Sequence, residues 1–191
     1  MEEDIYEKLA LNPYMCELCQ TTSAIRKYIN GRIWNGKGYN INGNIEYEIK
    51  DGKVHIKEYN KYGILIFEGE YLNGERNGKG KKYFYSGILI FEGEYLNGER
   101  NGKGKKYHYN GELKFEGEYL NGKRNGKGKE YYNNNKLKVE GEYLDGRIWN
   151  GKGYTLNNIK GNIEFEIKEG KGFIKEYYDN GELKFEGEYL N

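Results

Sequence analysis

Phe67-Glu68-Gly69-Glu70-Tyr71-Leu72-Asn73-Gly74 recurs from Phe91, again from Phe115, and in altered form from Val139. The recurrence has a period of about 24 residues, the size of a stacked structural repeat, so repetition and not composition decides the fold class. Upstream, Tyr28–Tyr39 echoes Tyr143–Tyr154, and Ile45–Gly52 echoes Ile163–Gly170. The array therefore runs over residues 24–191 as about seven and a half units, with residues 1–23 of different character. Within each unit apolar and polar residues alternate with period two, bounded by Asn-Gly or Asp-Gly. That pattern reads as β-hairpins, and helical periodicity is missing from it.

Turn positions follow from insertions and deletions. The units at Ile45 and Ile163 lack two residues where typical units carry Asn73-Gly74-Glu75-Arg76. A two-residue turn cannot lose two residues, which predicts a four-residue loop inside each typical unit. Between units, Asn110-Gly111 and Asn180-Gly181 are expected to form two-residue type I′ turns.

This register aligns one row of glycines: Gly69, Gly80, Gly93, Gly104, Gly117, Gly128, Gly141 and Gly153. Beside it tyrosine and glycine alternate as Tyr71, Gly78, Tyr95, Gly102, Tyr119, Gly126, Tyr143 and Gly151. Glycine is disfavoured in strands unless its vacated volume is used, and tyrosine rings lying across bare backbone would use it. On the opposite face glutamate and lysine face each other, as in Glu70/Lys79, Glu94/Lys103, Glu118/Lys127, Glu142/Lys152 and Glu68/Lys81. Each such pair is expected to contribute ~0.2–1 kcal/mol. The expected architecture is all-β: an elongated, twisted single-layer antiparallel sheet with one aromatic and one charged face. At ~4.8 Å per strand it would extend on the order of 70 Å, and its twist would curl the aromatic face into a groove.

The segment Phe67-Glu-Gly69-Glu-Tyr71-Leu-Asn73-Gly74 through Gly78-Lys-Gly80 resembles the MORN repeat, and Tyr177–Gly187 is similar to its bacterial variant. The resemblance implies single-layer hairpin arrays, and no kinase or methyltransferase domain of the kind sometimes fused to such repeats is expected here. It also implies scaffolding, self-association and, for some members, proposed phospholipid binding or antitoxin roles. Two units depart from the pattern by carrying Tyr47/Ile56 and Phe165/Ile174 in place of glycines, so side chains should fill the groove there.

Residues 1–23 read as a short helical cap. Ile5, Tyr6, Leu9, Leu11, Met15 and Leu18 would cover the first hairpins, with Asn12-Pro13 opening a second helix. Cys16-Glu17-Leu18-Cys19 is a CxxC, but zinc needs two further ligands, and His55 and His108 stand at non-equivalent positions of distant units. Cys16 and Cys19 therefore read as buried apolar residues, and no cofactor is expected.

The chain's 191 residues carry 31 basic and 30 acidic side chains. That balance argues against nucleic acid, because counterion release needs a cationic surplus. A glutamate for each lysine also leaves the carboxylates exposed and paired instead of tuned for acid–base chemistry, so no enzyme is indicated. The acidic start Met1-Glu2-Glu3-Asp4 lacks a signal peptide's charge, and the longest aliphatic run, Ile64–Phe67, is far short of a bilayer span. An intracellular, cytoplasmic scaffold is expected, contacting a protein partner or itself through the groove or the edge strand ending near Tyr189. Candidate groove residues are Tyr71, Tyr95, Tyr119, Tyr143, Phe67, Phe91, Phe115, Tyr47 and Phe165. Alternatives are a peptide or membrane lipid held in that groove, or neutralisation of a toxin.

Overall fold

The computed structural model describes residues 25–29, 32–39, 45–60, 62–155, 163–178 and 181–191. The helical cap expected over residues 1–23, with Cys16 and Cys19, lies outside them. Fifteen strands follow in chain order: β1 Ile25–Ile29, β2 Arg32–Tyr39, β3 Ile45–Ile49, β4 Lys53–Tyr59, β5 Leu65–Leu72, β6 Glu75–Tyr83, β7 Leu89–Leu96, β8 Glu99–Tyr107, β9 Leu113–Leu120, β10 Lys123–Tyr131, β11 Leu137–Leu144, β12 Arg147–Tyr154, β13 Ile163–Ile167, β14 Lys171–Tyr177 and β15 Leu183–Leu190. No helix occurs among the described residues. Strands β1–β3 form a three-stranded sheet, β4–β13 a ten-stranded antiparallel sheet in chain order, and β14–β15 a two-stranded one. The strands divide between two compact units. The first ends at Gly87 and takes in Tyr95–Gly98; the second comprises Ile88–Glu94 and Glu99–Asn191.

Neither turn has the expected length. Inside the repeat, Leu72 pairs with Glu75, so the loop is Asn73-Gly74 alone. Both residues have positive φ, 53° and 88°, as a type I′ turn requires. Between repeats, Tyr107 pairs with Leu113, and the Gly111 N–H donates to the His108 carbonyl over 3.0 Å. Only Gly111 has positive φ there, 86°. Tyr109-Asn110-Gly111 is thus a three-residue loop built on a type I turn, tightened by the Asn110 side chain accepting from the Glu112 N–H at 3.0 Å. Gly181 makes the equivalent bond to the Tyr178 carbonyl at 2.9 Å, while Asn180 lies outside the described residues.

The length variation inside the repeat therefore sits in a bulge and not in the turn. Gly69 faces Gly80 and Phe67 faces Lys82 as expected, but Tyr71 faces Arg76 and not Gly78. The register slips because Asn77 and Gly78 are extra residues, with Gly78 at φ 102°. The unit containing Trp149 has a smaller slip, so Gly141 faces Gly151 and Tyr143 faces Ile148; Gly153 faces Val139 and not Gly141. Across the inter-repeat loops the expected pairs are present: Gly102 with Tyr119, Gly104 with Gly117, Gly126 with Tyr143 and Gly128 with Gly141.

Inside the two hairpins whose glycine pair is replaced, by Tyr47/Ile56 and Phe165/Ile174, each ladder is reduced to one bridge, Lys50 to Lys53 and Lys168 to Lys171. These are the positions at which the ten-stranded sheet ends. At Gly69 a Cβ would lie 2.6 Å from the Gly80 backbone, so two side-chain-bearing residues cannot take up this close approach.

Candidate functional site

The buried row consists of Phe67, Phe91 and Phe115, at most 1% exposed, with Tyr71, Tyr95, Tyr119, Tyr143 and Val139. In the first unit the Phe67 ring meets Tyr71 and Tyr95 edge-on at 5.9 and 5.3 Å. In the second, Phe115 meets Tyr119 and Tyr143 at 5.5 and 5.3 Å, again nearly perpendicular. Such contacts contribute ~0.5–1.5 kcal/mol each beyond burial.

It is chiefly phenylalanine, and not tyrosine as expected, that lies across the bare backbone. A Cβ on Gly80 would sit 2.6 Å from Phe67 Cζ, and one on Gly104 the same distance from Phe91 Cζ; Gly128 stands in the same relation to Phe115. Tyr95 and Tyr119 rings come second, 3.2 and 3.3 Å from those positions on Gly80 and Gly104. Gly78, Gly102 and Gly126 have another cause, their positive φ in the bulge. Glu118 serves this bulge, since its carboxylate accepts from the Lys127 backbone N–H at 3.1 Å. Gly93, Gly117 and Gly141 each press against the glycine or the peptide of the adjoining strand.

The faces are also less segregated than the alternation suggests. On the charged face, the Tyr83, Tyr107 and Tyr131 hydroxyls donate to Glu68, Glu92 and Glu116 at 2.6 to 2.7 Å, and Tyr154 donates to Glu140. Burial and the Glu116 acceptor push Tyr131 up to about 12. For Tyr154 the bond to Glu140 comes first and burial second, again to about 12. The same bond, with Lys129 and Lys152 nearby, holds Glu140 below the ordinary carboxylate value. Cross-strand ion pairs join Lys81 to Glu68 at 4.0 Å and Lys129 to Glu140 at 3.5 Å. The slip at the bulge denies Glu70 its predicted direct register with Lys79, and Glu142 faces Asn150 within its own hairpin, while Lys152 faces Glu140.

The aromatic face carries charges that alternation did not anticipate. Arg76 lies 4.0 Å over the Phe67 ring and makes two 2.9 Å hydrogen bonds to the Glu58 carboxylate, which also accepts from the Tyr71 hydroxyl. Arg124 lies 4.2 Å over Phe115 and donates to Glu130 at 2.8 Å. Arg100 lies 4.6 Å over Phe91 and 5.9 Å from Tyr119. These guanidiniums help cover the phenylalanines, which accounts for their near-complete burial. The signal in the sequence was the arginine two residues after Asn73-Gly74, Asn97-Gly98 and Asn121-Gly122, legible once that turn is two residues long.

Tyr47 and Phe165 face Gly38 and Gly153 in β2 and β12; Phe165 is half-buried. His55 faces Glu70, while His108 Nε2 lies 3.3 Å from the Tyr131 carbonyl. Among the described residues no three His, Cys, Asp or Glu side chains are placed to hold a metal ion. No helix among them is long and apolar enough to cross a membrane.

A comparison with curated proteins finds no match. The family model for the MORN repeat matches residues 67–88, 91–112 and 115–136. Repeats of this kind commonly mediate protein or membrane interactions and are generally non-catalytic. Each match spans a hairpin from its phenylalanine through the bulge to the outer loop, and the chain thus carries three MORN repeats in tandem between residues 67 and 136.

Proposed function

We propose that this chain is a non-enzymatic interaction scaffold that associates with itself through β15. The supporting observation is the contrast between equivalent phenylalanines. Phe67 and Phe115 are 0% exposed, whereas Phe185 in β15 is 49% exposed, with exposed Leu183 in the same strand. Among the described residues β15 pairs with β14 alone, and its apolar side chains Leu183 and Phe185 are uncovered. An uncovered edge strand is a template for strand addition, with hydrogen bonds supplying affinity and the apolar side chains supplying register. Light scattering on the full chain should give a mass above 22.4 kDa that falls to the monomer value in Phe185→Lys. A wild-type chain that stays monomeric at every concentration would remove the reading.

A further inference from the structure

The three arginines of the aromatic face differ in their acids. Arg76 takes its carboxylate from Glu58, 18 residues earlier, and Arg124 from Glu130, six residues later. For Arg100 the residues at those two spacings are Lys82 and Lys106. Among the described residues Arg100 has no acidic partner, and its described contacts are the Phe91 and Tyr119 rings. Lys106 faces Phe115 from β8, where Glu130 faces the same ring from β10.

A buried hydroxyl lies beside this surface. In the first repeat the tyrosine hydroxyl donates to the glutamate that the arginine also binds. Its counterpart Tyr119 is 5% exposed, and its hydroxyl is buried beside Arg124 without a hydrogen bond of good geometry. Lysine, where the first repeat has glutamate, adds a cation near that phenol; the missing hydrogen bond is not its consequence, because Tyr143, with Glu130 at the same spacing, lacks one as well. Lys106 is half-buried, and burial first, then Lys114, Arg100 and Arg124, holds its ammonium below the usual lysine value, with Glu130 acting in the opposite sense. Cations kept together on a low-dielectric aromatic surface attract an external anion.

We propose that Arg100, Lys106 and the Tyr119 hydroxyl form a docking point for a glutamate or aspartate side chain of a partner protein. The chemistry of the ligand is taken from the chain's own template. In the first repeat a carboxylate on a slender apolar stem satisfies a stacked guanidinium and a phenol at once, through paired donors that match its planar geometry. The proposal rests on the interaction-scaffold reading and specifies what such a partner presents.

The test uses the full chain and a fluorescein-labelled hexaglutamate peptide, followed by anisotropy at low salt. Wild type should bind, and Lys106→Glu, which supplies the missing carboxylate internally, should weaken binding about tenfold or more. Arg100→Gln should do the same, while Lys103→Gln, on the opposite face, should leave it unchanged. Lys106→Glu should also match or exceed wild type in urea resistance, which separates lost binding from misfolding; if it does not fold, Arg100→Gln decides. Peptide binding that ignores both substitutions, or no binding by wild type, would overturn the proposal. So would inorganic phosphate or phosphatidylserine vesicles binding in a Lys106-dependent way when hexaglutamate does not. Repeating the titration in Phe185→Lys keeps the two ideas apart, because losing self-association there should leave peptide binding intact.

Discussion

In β8 the backbone at Gly102 turns to φ +88° with the flexible end of Glu94 beside it, whereas two residues on Gly104 keeps an ordinary strand conformation beneath the Phe91 ring. The same contrast holds between Gly126 and Gly128 under Phe115. One glycine is required by backbone conformation at a bulge, the other by volume under a buried ring. Glycine in a repeat motif therefore carries two meanings, and substitutions should tell them apart.

The largest effect is expected at the volume glycine. Gly104→Ala places a methyl 2.6 Å from a ring that is 1% exposed; overpacking of this kind should cost ~3 kcal/mol, read as a lower urea midpoint. Phe91→Leu in the same chain should recover much of that loss, as the smaller Val139 already occupies the equivalent place in β11. Gly102→Ala should cost ~1–2 kcal/mol through strain at positive φ, and Glu94→Ala should not rescue it, since the strain is in the backbone. Rescue of both by trimming the neighbour would erase the distinction.

Turn positions sharpen the comparison further. Asn97 sits at φ 50° in a type I′ turn, so Asn97→Ala should lose ~1 kcal/mol. Asn110, outside the left-handed region, should lose only ~0.5 kcal/mol on substitution by alanine, that of its bond to the Glu112 N–H.

The smallest effect is an alkaline one. Tyr131 and Tyr154 are pushed up to about 12 from an ordinary 10. Below pH 10 the phenols are protonated in both states and contribute no pH dependence. Between 10 and 12 the unfolded chain releases its protons first, so stability should fall as pH rises. Tyr131→Phe should flatten that part of a stability–pH curve. At the acid end Glu140, held low, should cost stability as pH drops below the ordinary carboxylate range, and Tyr154→Phe should weaken that dependence.

Strand content was legible because alternation with period two leaves no other regular structure that buries one face. The pairing of Gly104 with Gly117 and of Lys105 with Glu116 was legible from the alternation, and it survived a loop one residue longer than expected because the slip between Lys106 and Tyr107 offsets the extra residue. The intra-repeat register was not. A deletion shortens a bulge as readily as a turn, and Asn-Gly is compatible with both φ signs until a partner strand selects one. The arginines went unread with it, because moving Arg76 from a loop into a strand is what places it on the Phe67 ring.

Residue order alone determined that this chain would repeat, pair its strands in sequence and alternate its faces, because side-chain direction in a strand follows from position and hydrophobic burial orients the whole row. Packing decided which glycine yields volume and which yields φ, and which of three identical arginines keeps an acid. Those outcomes depend on atoms brought together from adjoining strands, where a single bulge moves every later side chain relative to its neighbour.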